Sequence, residues 1–258
     1  LEQMPDFTIR ASQSDYVRQI LPINIGRTRR QQLESSITEE FEQVCIHYLP
    51  IPVQELTFVS FGDASFASSK NLNSHQGVVL CATDSRLGQN KEAPLSPVGW
   101  FSKKIPRVVR STLSAEAYAM SKAVDLLGWL RALWGVVHVP SFDWRQPEQS
   151  YKLLNTALVV TDCKSLYDLV TRLAMPSCEE HRTTLEVLLI KQRCAENSQF
   201  RWVPTTLQIA DSLTKNMDSS LLRAILAQGR FRLFDNSESL ARDAQRRKAI
   251  EWLTQPSD

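Results

Sequence analysis

The sequence lacks the features that mark several common protein classes. Its cysteines number five and include no C-x-x-C pair, which disfavours a zinc module or a disulfide framework and indicates a reducing compartment. Thirty Lys and Arg residues nearly balance 28 Asp and Glu residues, for a formal charge of +2. That charge excludes the strongly basic surface of a protein that holds duplex DNA by charge alone.

The chain also lacks a recognisable membrane span. Its longest apolar stretch, residues 124–139, contains Arg131 and His138 and is more typical of a core helix. No basic, apolar leader opens the sequence, and because it begins at Leu1 rather than Met we expect a piece of a longer protein. Hydrophobic residues make up 43% and charged residues 22%, as in a globular protein rather than a disordered one.

The composition predicts three regions. Residues 1–55 contain four prolines and a basic run at 27–30. They are interpreted as an N-terminal arm or connecting segment, with one helix from about residue 30 to 48. Residues 56–217 form the main domain. Residues 218–258 are predicted as a C-terminal helical extension, with helices at about 221–227 and 239–253.

Within the main domain the pattern predicts three strands, then a helix, a strand, two helices, a strand and a helix. The strands are expected at 56–61, 76–82, 98–101, 157–161 and 200–203. The first helix begins at Ser111 or Thr112 and ends at Gly135, and Thr205 with Gln208 form a capping box that opens the last helix. The order predicts an α/β fold, with a mixed five-stranded sheet built from an antiparallel meander and a parallel half, and helices packed on it.

Four acidic residues are distinguished by their positions. Asp63 ends a run of uncharged strand residues, and Asp162 follows an apolar strand at the end where ligands collect in open α/β sheets. Glu116 and Asp211 lie in the first turns of two predicted helices. Each of the last three has a structural alternative: Glu116 favours a helix N-terminus, Asp162 could cap a helix, and Asp211 could pair with Lys215 four residues later.

A shared site would explain all four acids. If the strands that carry Asp63 and Asp162 are adjacent, both carboxylates project from one end of the sheet, and two helix starts can bring the others there. Four close carboxylates repel each other, and two hard cations would relieve that repulsion. A pair of Mg²⁺ ions about 4 Å apart can generate an attacking hydroxide and stabilise the leaving oxygen of a phosphodiester.

Six short motifs resemble, in order, the ribonuclease H domain of copia-type LTR-retrotransposon polyproteins. They are FGDASFA at 61–67, SHQG at 74–77, WFSKK at 100–104, SAEAY at 114–118, VTD at 160–162 with Ser165, and WVPT at 202–205 leading to ADSLTK at 210–215. The resemblance covers about residues 57–217. It departs from the family at Tyr118 and Cys163, neither of which carries metal there.

The resemblance implies a ribonuclease H-like fold and an endonuclease that cuts RNA paired to DNA. It implies that two Mg²⁺ ions, or Mn²⁺, are held by Asp63, Glu116, Asp162 and Asp211. It also implies a reverse transcriptase upstream in the same polyprotein, and no membrane. The expected location is the cytoplasm, with virus-like particles as the alternative.

Substrate-binding candidates lie next to these motifs. A basic run without acids precedes the helix of Glu116, where positive charge would hold a nucleic-acid backbone; its alternative is a solvated loop. Two serines near the acids could hydrogen-bond sugar or phosphate. The candidates are Lys103, Lys104, Arg107, Arg110, Ser65 and Ser165. The histidine nearest before Asp211 is His181, predicted to be a surface residue rather than a general acid–base.

Two other functions remain open on the sequence. A transposase or integrase core on the same fold requires its third acid on a late helix, about 35 residues after the second. Glu196, 34 residues after Asp162, nearly matches that spacing. The same domain could also be a catalytically inactive scaffold. Intact acids at all four positions argue against the scaffold, and Glu116 has no required role in the integrase.

Overall fold

In the computed structural model, residues 2–12, 45–68, 72–215 and 220–233 are described. Their strands are β1 (Glu2–Gln3), β2 (Ile9–Ser12), β3 (Cys45–Tyr48), β4 (Leu56–Ser65), β5 (His75–Asp84), β6 (Ala93–Pro94), β7 (Ser96–Lys104), β8 (Ala157–Thr161), β9 (Ser198–Trp202) and β10 (Arg230–Phe231). Their helices are α1 (Ser85–Gly88), α2 (Thr112–His138), α3 (Pro147–Ser150), α4 (Lys164–Thr171), α5 (His181–Ala195), α6 (Asp211–Thr214) and α7 (Ser220–Gln228). Short 3-10 turns occupy Tyr151–Leu153 and Thr205–Leu207.

The central sheet has five strands in the order β7-β5-β4-β8-β9. Strands β7, β5 and β4 pair antiparallel, whereas β4, β8 and β9 pair parallel. The predicted mixed sheet, with a meander and a parallel half, is therefore confirmed. All five residues of β8 are buried, which explains why four of them are apolar.

Two hydrophobic layers cover the sheet. Helices α2, α4 and α5 pack on one face, where Phe58 and Met120 are among the buried residues. Phe61, on the other side of β4, joins a second layer with Ile225 and Phe231 from the segment after the last sheet strand. The rings of Phe61 and Phe231 meet edge to face, with centroids 6.0 Å apart. Residues 220–233 thus contribute to the core of the sheet domain.

Helix α2 begins where the sequence predicts. The Ser111 hydroxyl accepts the backbone N–H of Ser114 and caps the helix. The predicted end at Gly135 is wrong, because the helix continues to His138. A Cβ at position 135 would lie 2.4 Å from the ring of Phe142, so this glycine permits close packing rather than ending the helix. None of the described helices combines the length and apolar character needed to cross a bilayer.

Two other predicted helices differ from the structure. The helix expected over residues 30–48 lies largely outside the described residues, but its last part is strand β3, which pairs antiparallel with β2. The capping box of Thr205 and Gln208 does not form. Instead the Gln208 amide donates to the carbonyl of Gly62 at 2.9 Å, and the helix at Asp211 is a single turn. The helix at about 221–227 is confirmed as α7, whereas 239–253 lies outside the described residues.

Candidate metal centre

Strands β4 and β8 place two acids at the same end of the sheet. Phe61 is paired with Val160 in the parallel register. Asp63 and Asp162 each follow two residues later, so they lie at the same level along the two strands. Asp63 lies inside β4, opposite Gly77 of β5, and is 0% exposed. Asp162 follows the last residue of β8 and is half-buried.

Helix α2 brings Glu116 to the same end of the sheet. The helix can approach β4 because residue 62 is glycine. A Cβ there would lie 2.9 Å from the methyl carbon of Met120 and 3.2 Å from the Cβ of Ala123. Glu116 is 5% exposed, and its Oε2 has no hydrogen-bond partner among the described residues. A buried oxygen without a donor indicates that another ligand completes its environment.

Three carboxylates form a compact cluster. One oxygen each from Asp63, Glu116 and Asp162 lie within 4.8 Å of one another. Hard divalent cations such as Mg²⁺ take oxygen ligands of this kind. The donor set and the unpartnered Glu116 oxygen therefore fit a divalent cation.

The fourth acid, Asp211, lies beside this trio and is joined to it through Lys215. The ammonium of Lys215 donates to Oδ1 of Asp211 and, at 3.4 Å, to Oδ1 of Asp63. The Thr214 hydroxyl donates to the other oxygen of Asp63. Asp211 is 2% exposed, and its Oδ2 has no partner in the described part of the chain. It therefore also presents a buried oxygen that can accept a cation.

Helix α6 reaches this position because β5 has a glycine opposite Asp63. A Cβ at Gly77 would lie 2.8 Å from a methyl carbon of Thr214 and 3.0 Å from the Cβ of Leu213. The Ser102 hydroxyl of β7 donates to the Leu213 carbonyl at 2.7 Å. Close contact with β5 and this bond to the edge strand hold the single turn against the sheet.

Burial perturbs the ionisation of the cluster. It raises the pKa of Asp63 to about 7, and the negative charge of Asp211 adds to the effect. Burial also raises the pKa of Glu116 well above its usual range, with Asp63 contributing. For Asp162, burial raises the pKa although a hydrogen bond from Thr205 opposes the shift. Desolvated, mutually repelling carboxylates of this kind are relieved by a bound cation.

Lys215 is the one positive group that touches two of these acids in the described structure. Burial alone would lower the pKa of its ammonium, but the charges of Asp63 and Asp211 outweigh that effect and the pKa is raised. Its pairing with Asp211 is the structural alternative that the spacing of four residues offered. Its contact with Asp63 was not predicted, because it joins residues 152 positions apart.

The substrate-binding candidates differ in their surroundings. Lys103 and Lys104 are exposed at the end of edge strand β7, and Arg110 is exposed just before α2. Arg107 has a structural explanation instead: it forms an ion pair with Glu186 at 3.2 Å and lies 4.7 Å from the centre of the Tyr118 ring.

The two serine candidates also differ from each other. Ser65 is buried and shares a hydrogen bond with Ser68 at 2.7 Å. Ser165 is exposed, with its hydroxyl 3.3 Å from the sulfur of Cys163. Ser165 is therefore the better placed of the two to meet a ligand.

Comparisons with known proteins give matches only among solved structures. No protein-family model matches the chain, and no curated protein matches it significantly. The chain is similar to ribonuclease H1 of the archaeon Halobacterium salinarum NRC-1, with a TM-score of 0.41 and 14% identity over 61% of this chain and 93% of that one. It is similar to LC11-RNase H1 in complex with an RNA/DNA hybrid, with a TM-score of 0.40 and 15% identity over 61% and 94%.

A foamy viral protease–reverse transcriptase in complex with an RNA/DNA hybrid is also similar, with a TM-score of 0.38 and 14% identity over 64% of this chain and 20% of that one. At these identities a structural match concerns the fold alone. The directions of the five sheet strands agree with the mixed sheet, antiparallel meander plus parallel half, that was predicted from the sequence.

Proposed function

We propose that this chain is a metal-dependent endoribonuclease that hydrolyses the RNA strand of RNA–DNA hybrids. One observation carries the proposal: three carboxylates from two strands and a helix converge within 4.8 Å, with Asp211 held beside them. Acids this deeply buried lower stability unless they serve a ligand. A site that collects buried oxygens at the end of a mixed sheet suits divalent cations and phosphate chemistry.

The residues divide between two cation positions. Asp63, Glu116 and Asp162 would hold one ion, and Asp63 with Asp211 would hold the second. When bound, a pair of divalent ions supplies the Lewis acidity for phosphodiester hydrolysis. The protein's part is to fix the carboxylates: β4 and β8 set two of them by register, and glycines at 62 and 77 let α2 and α6 bring the others close.

Exposed cationic side chains would position the substrate. Lys103, Lys104 and Arg110 flank the start of α2 and can contact backbone phosphates, which provide most of the affinity for nucleic acid. The choice of an RNA–DNA hybrid as substrate follows from the resemblance of the six motifs. A hybrid carries 2′-hydroxyls on one strand only, and these groups distinguish it from a DNA duplex. We further propose, from the same resemblance, a place downstream of a reverse transcriptase in a copia-type polyprotein, acting in the cytoplasm or in virus-like particles.

The integrase-type alternative needs Glu196 in the site. Glu196 precedes β9, whose first residue, Ser198, pairs with Ala157 at the opposite end of β8 from Asp162. Five strand residues separate the two ends by roughly 15 Å. Glu196 also forms an ion pair with Arg193 at 3.4 Å. We therefore favour the set that contains Glu116.

A cleavage assay tests the proposal and its alternatives. Labelled RNA–DNA hybrid, DNA duplex and RNA duplex are incubated with the protein in Mg²⁺ or Mn²⁺, and with EDTA as a control. Cleavage of the hybrid RNA strand alone, lost in Glu116→Gln but retained in Glu196→Gln, is the expected result. Cutting of the DNA duplex that depends on Glu196 would support the integrase type, and no cleavage of any duplex would support the scaffold.

A further inference from the structure

The contacts of Lys215 have a consequence for metal binding that the four acids alone do not show. Its ammonium donates to the Oδ1 atoms of both Asp63 and Asp211, and those carboxylates are the pair assigned above to the second cation. A divalent ion held by the same two carboxylates would lie beside this ammonium, and the two positive charges would repel each other. The two cations therefore compete.

The other cation position shares only Asp63 with Lys215 and meets less of this competition. Among the described contacts, Lys215 makes no hydrogen bond to Glu116 or Asp162. An ion held by those two acids and Asp63 still leaves Lys215 a partner in Asp211. The two positions consequently differ in affinity even though both are built from carboxylates.

Lys215 can move away without disturbing the fold. It is the residue after the last turn of α6, where the backbone is already extended, at φ −130° and ψ 143°. Its side chain is 37% exposed, whereas those of Asp63 and Asp211 are 1% and 3% exposed. A lysine has a flexible four-carbon stem, so the ammonium can turn toward solvent while the acids stay in place.

We propose that Lys215 is an internal counter-ion that sets the affinity of the second cation position, which fills only when the ammonium leaves Asp63 and Asp211. This inference rests on the proposed metal centre and extends it by assigning unequal affinities to its two positions. Lys215 is thus a positioning residue for metal entry rather than a ligand. Its effect is on divalent-ion binding, whether or not nucleic acid is present.

The test compares Mn²⁺ binding to the full chain and three variants, without nucleic acid, by isothermal titration calorimetry and by electron paramagnetic resonance of free Mn²⁺. Lys215→Met removes the charge but keeps the length of the side chain, and Lys215→Arg keeps the charge. Lys152→Met removes the same charge from an exposed position next to the other end of β8. It controls for the change in net charge.

The wild type should bind two Mn²⁺ ions with separate affinities. Lys215→Met should tighten the weaker step about tenfold, equivalent to about 1.4 kcal/mol, because bonds between charged groups have at least this strength. The stronger step should change less than about threefold, and Lys215→Arg and Lys152→Met should bind like the wild type. The metal-free Lys215→Met variant should also melt at a lower temperature than Lys152→Met and gain more from added Mn²⁺.

An unchanged weaker step in Lys215→Met, or an equal gain in Lys152→Met, would overturn the inference. Hybrid cleavage by the wild type alongside either of these results would leave the proposed function standing. Tighter Mn²⁺ binding in Lys215→Met, together with no cleavage of any duplex by the wild type, would support the inference and refute the proposed nuclease activity.

Discussion

Replacing Asp63 with asparagine separates the contribution of this carboxylate to metal binding from its effect on stability. The side chain is buried in the middle of β4 and is the acid shared by both proposed cation positions. Asparagine keeps its shape and removes its charge. We expect hybrid cleavage in Mg²⁺ to be lost, and the folded protein without metal to become more stable near neutral pH.

The size of the stability gain follows from the pKa of Asp63, which is about 7 instead of the ordinary 3.8. Below pH 3.8 both folded and unfolded states carry the proton. Between 3.8 and 7 the folded state holds more protons than the unfolded one, so the free energy of unfolding falls by about 1.4 kcal/mol per pH unit. At pH 8 the full loss, about 4 kcal/mol, applies to the wild type and not to Asp63→Asn.

Asparagine adds a cost of its own, because its amide N–H₂ is buried beside Lys215. An unsatisfied buried donor costs about 1–3 kcal/mol, which leaves a net gain of about 2 kcal/mol at pH 8. For a domain of this size that corresponds to about 4–8 °C in Tm. At pH 5 the wild type has lost only about 2 kcal/mol through this group, which is close to the cost of burying the amide, so the gain should nearly vanish.

Thermal and urea unfolding in EDTA at pH 8 and pH 5 measure these differences. The matched control is Asp168→Asn, which neutralises an exposed acid paired with Lys164 on α4 and should stay within about 0.5 kcal/mol of the wild type. Near-wild-type turnover of Asp63→Asn in Mg²⁺ would contradict the site assignment. A variant less stable than the wild type at pH 8 would contradict the charge argument.

Three further predictions follow from the surroundings of single residues. Lys104→Gln should weaken hybrid binding and reduce the magnitude of the negative slope of log K against log salt by about one. Filter-binding titrations measure this slope, and the control variant Lys152→Gln should leave it unchanged. Arg107→Gln should lower the free energy of unfolding by about 1 kcal/mol, since it loses Glu186 and the Tyr118 ring, yet leave that slope unchanged. His181→Ala should keep kcat within about tenfold, because His181 is exposed at the start of α5 and a positioned acid–base group would cost 10²–10⁴.

The sequence was most informative where burial and side-chain pattern agree. The strand Ala157–Thr161 was predicted with its observed bounds, because four consecutive apolar residues are typical of a strand that is buried on both faces. The first strand was predicted too short, since Asp63 was taken as its end. In the structure β4 continues to Ser65 through backbone pairing with β5, which does not depend on what the side chains are.

In helix α2, the periodic spacing of apolar residues predicts the buried face but not the character of the exposed face. Apolar residues recur along it at helical spacing, and Met120, Val124 and Leu127 are all buried, because a 3.6-residue period fixes which residues share a face. The outer face carries Trp129 and Val137, 72% and 74% exposed, and no period in the sequence predicts that. A local pattern identifies the face that packs on the sheet, but it does not require the opposite face to be polar.

The placement of Asp211 depends on contacts that no local pattern contains. The predicted capping box assumed that Gln208 would serve its own helix, yet its amide bonds instead to Gly62 of β4, 146 positions away. That bond uses the side chain that the capping box needs, and α6 is a single turn. The turn can then lie against Gly77 and bring Lys215 onto Asp63. Strand order and helix starts allowed all four acids to be assigned to one end of the sheet. The short turn that carries Asp211, and the contact of its lysine with Asp63, depend instead on a glycine and a glutamine whose partners are distant in sequence.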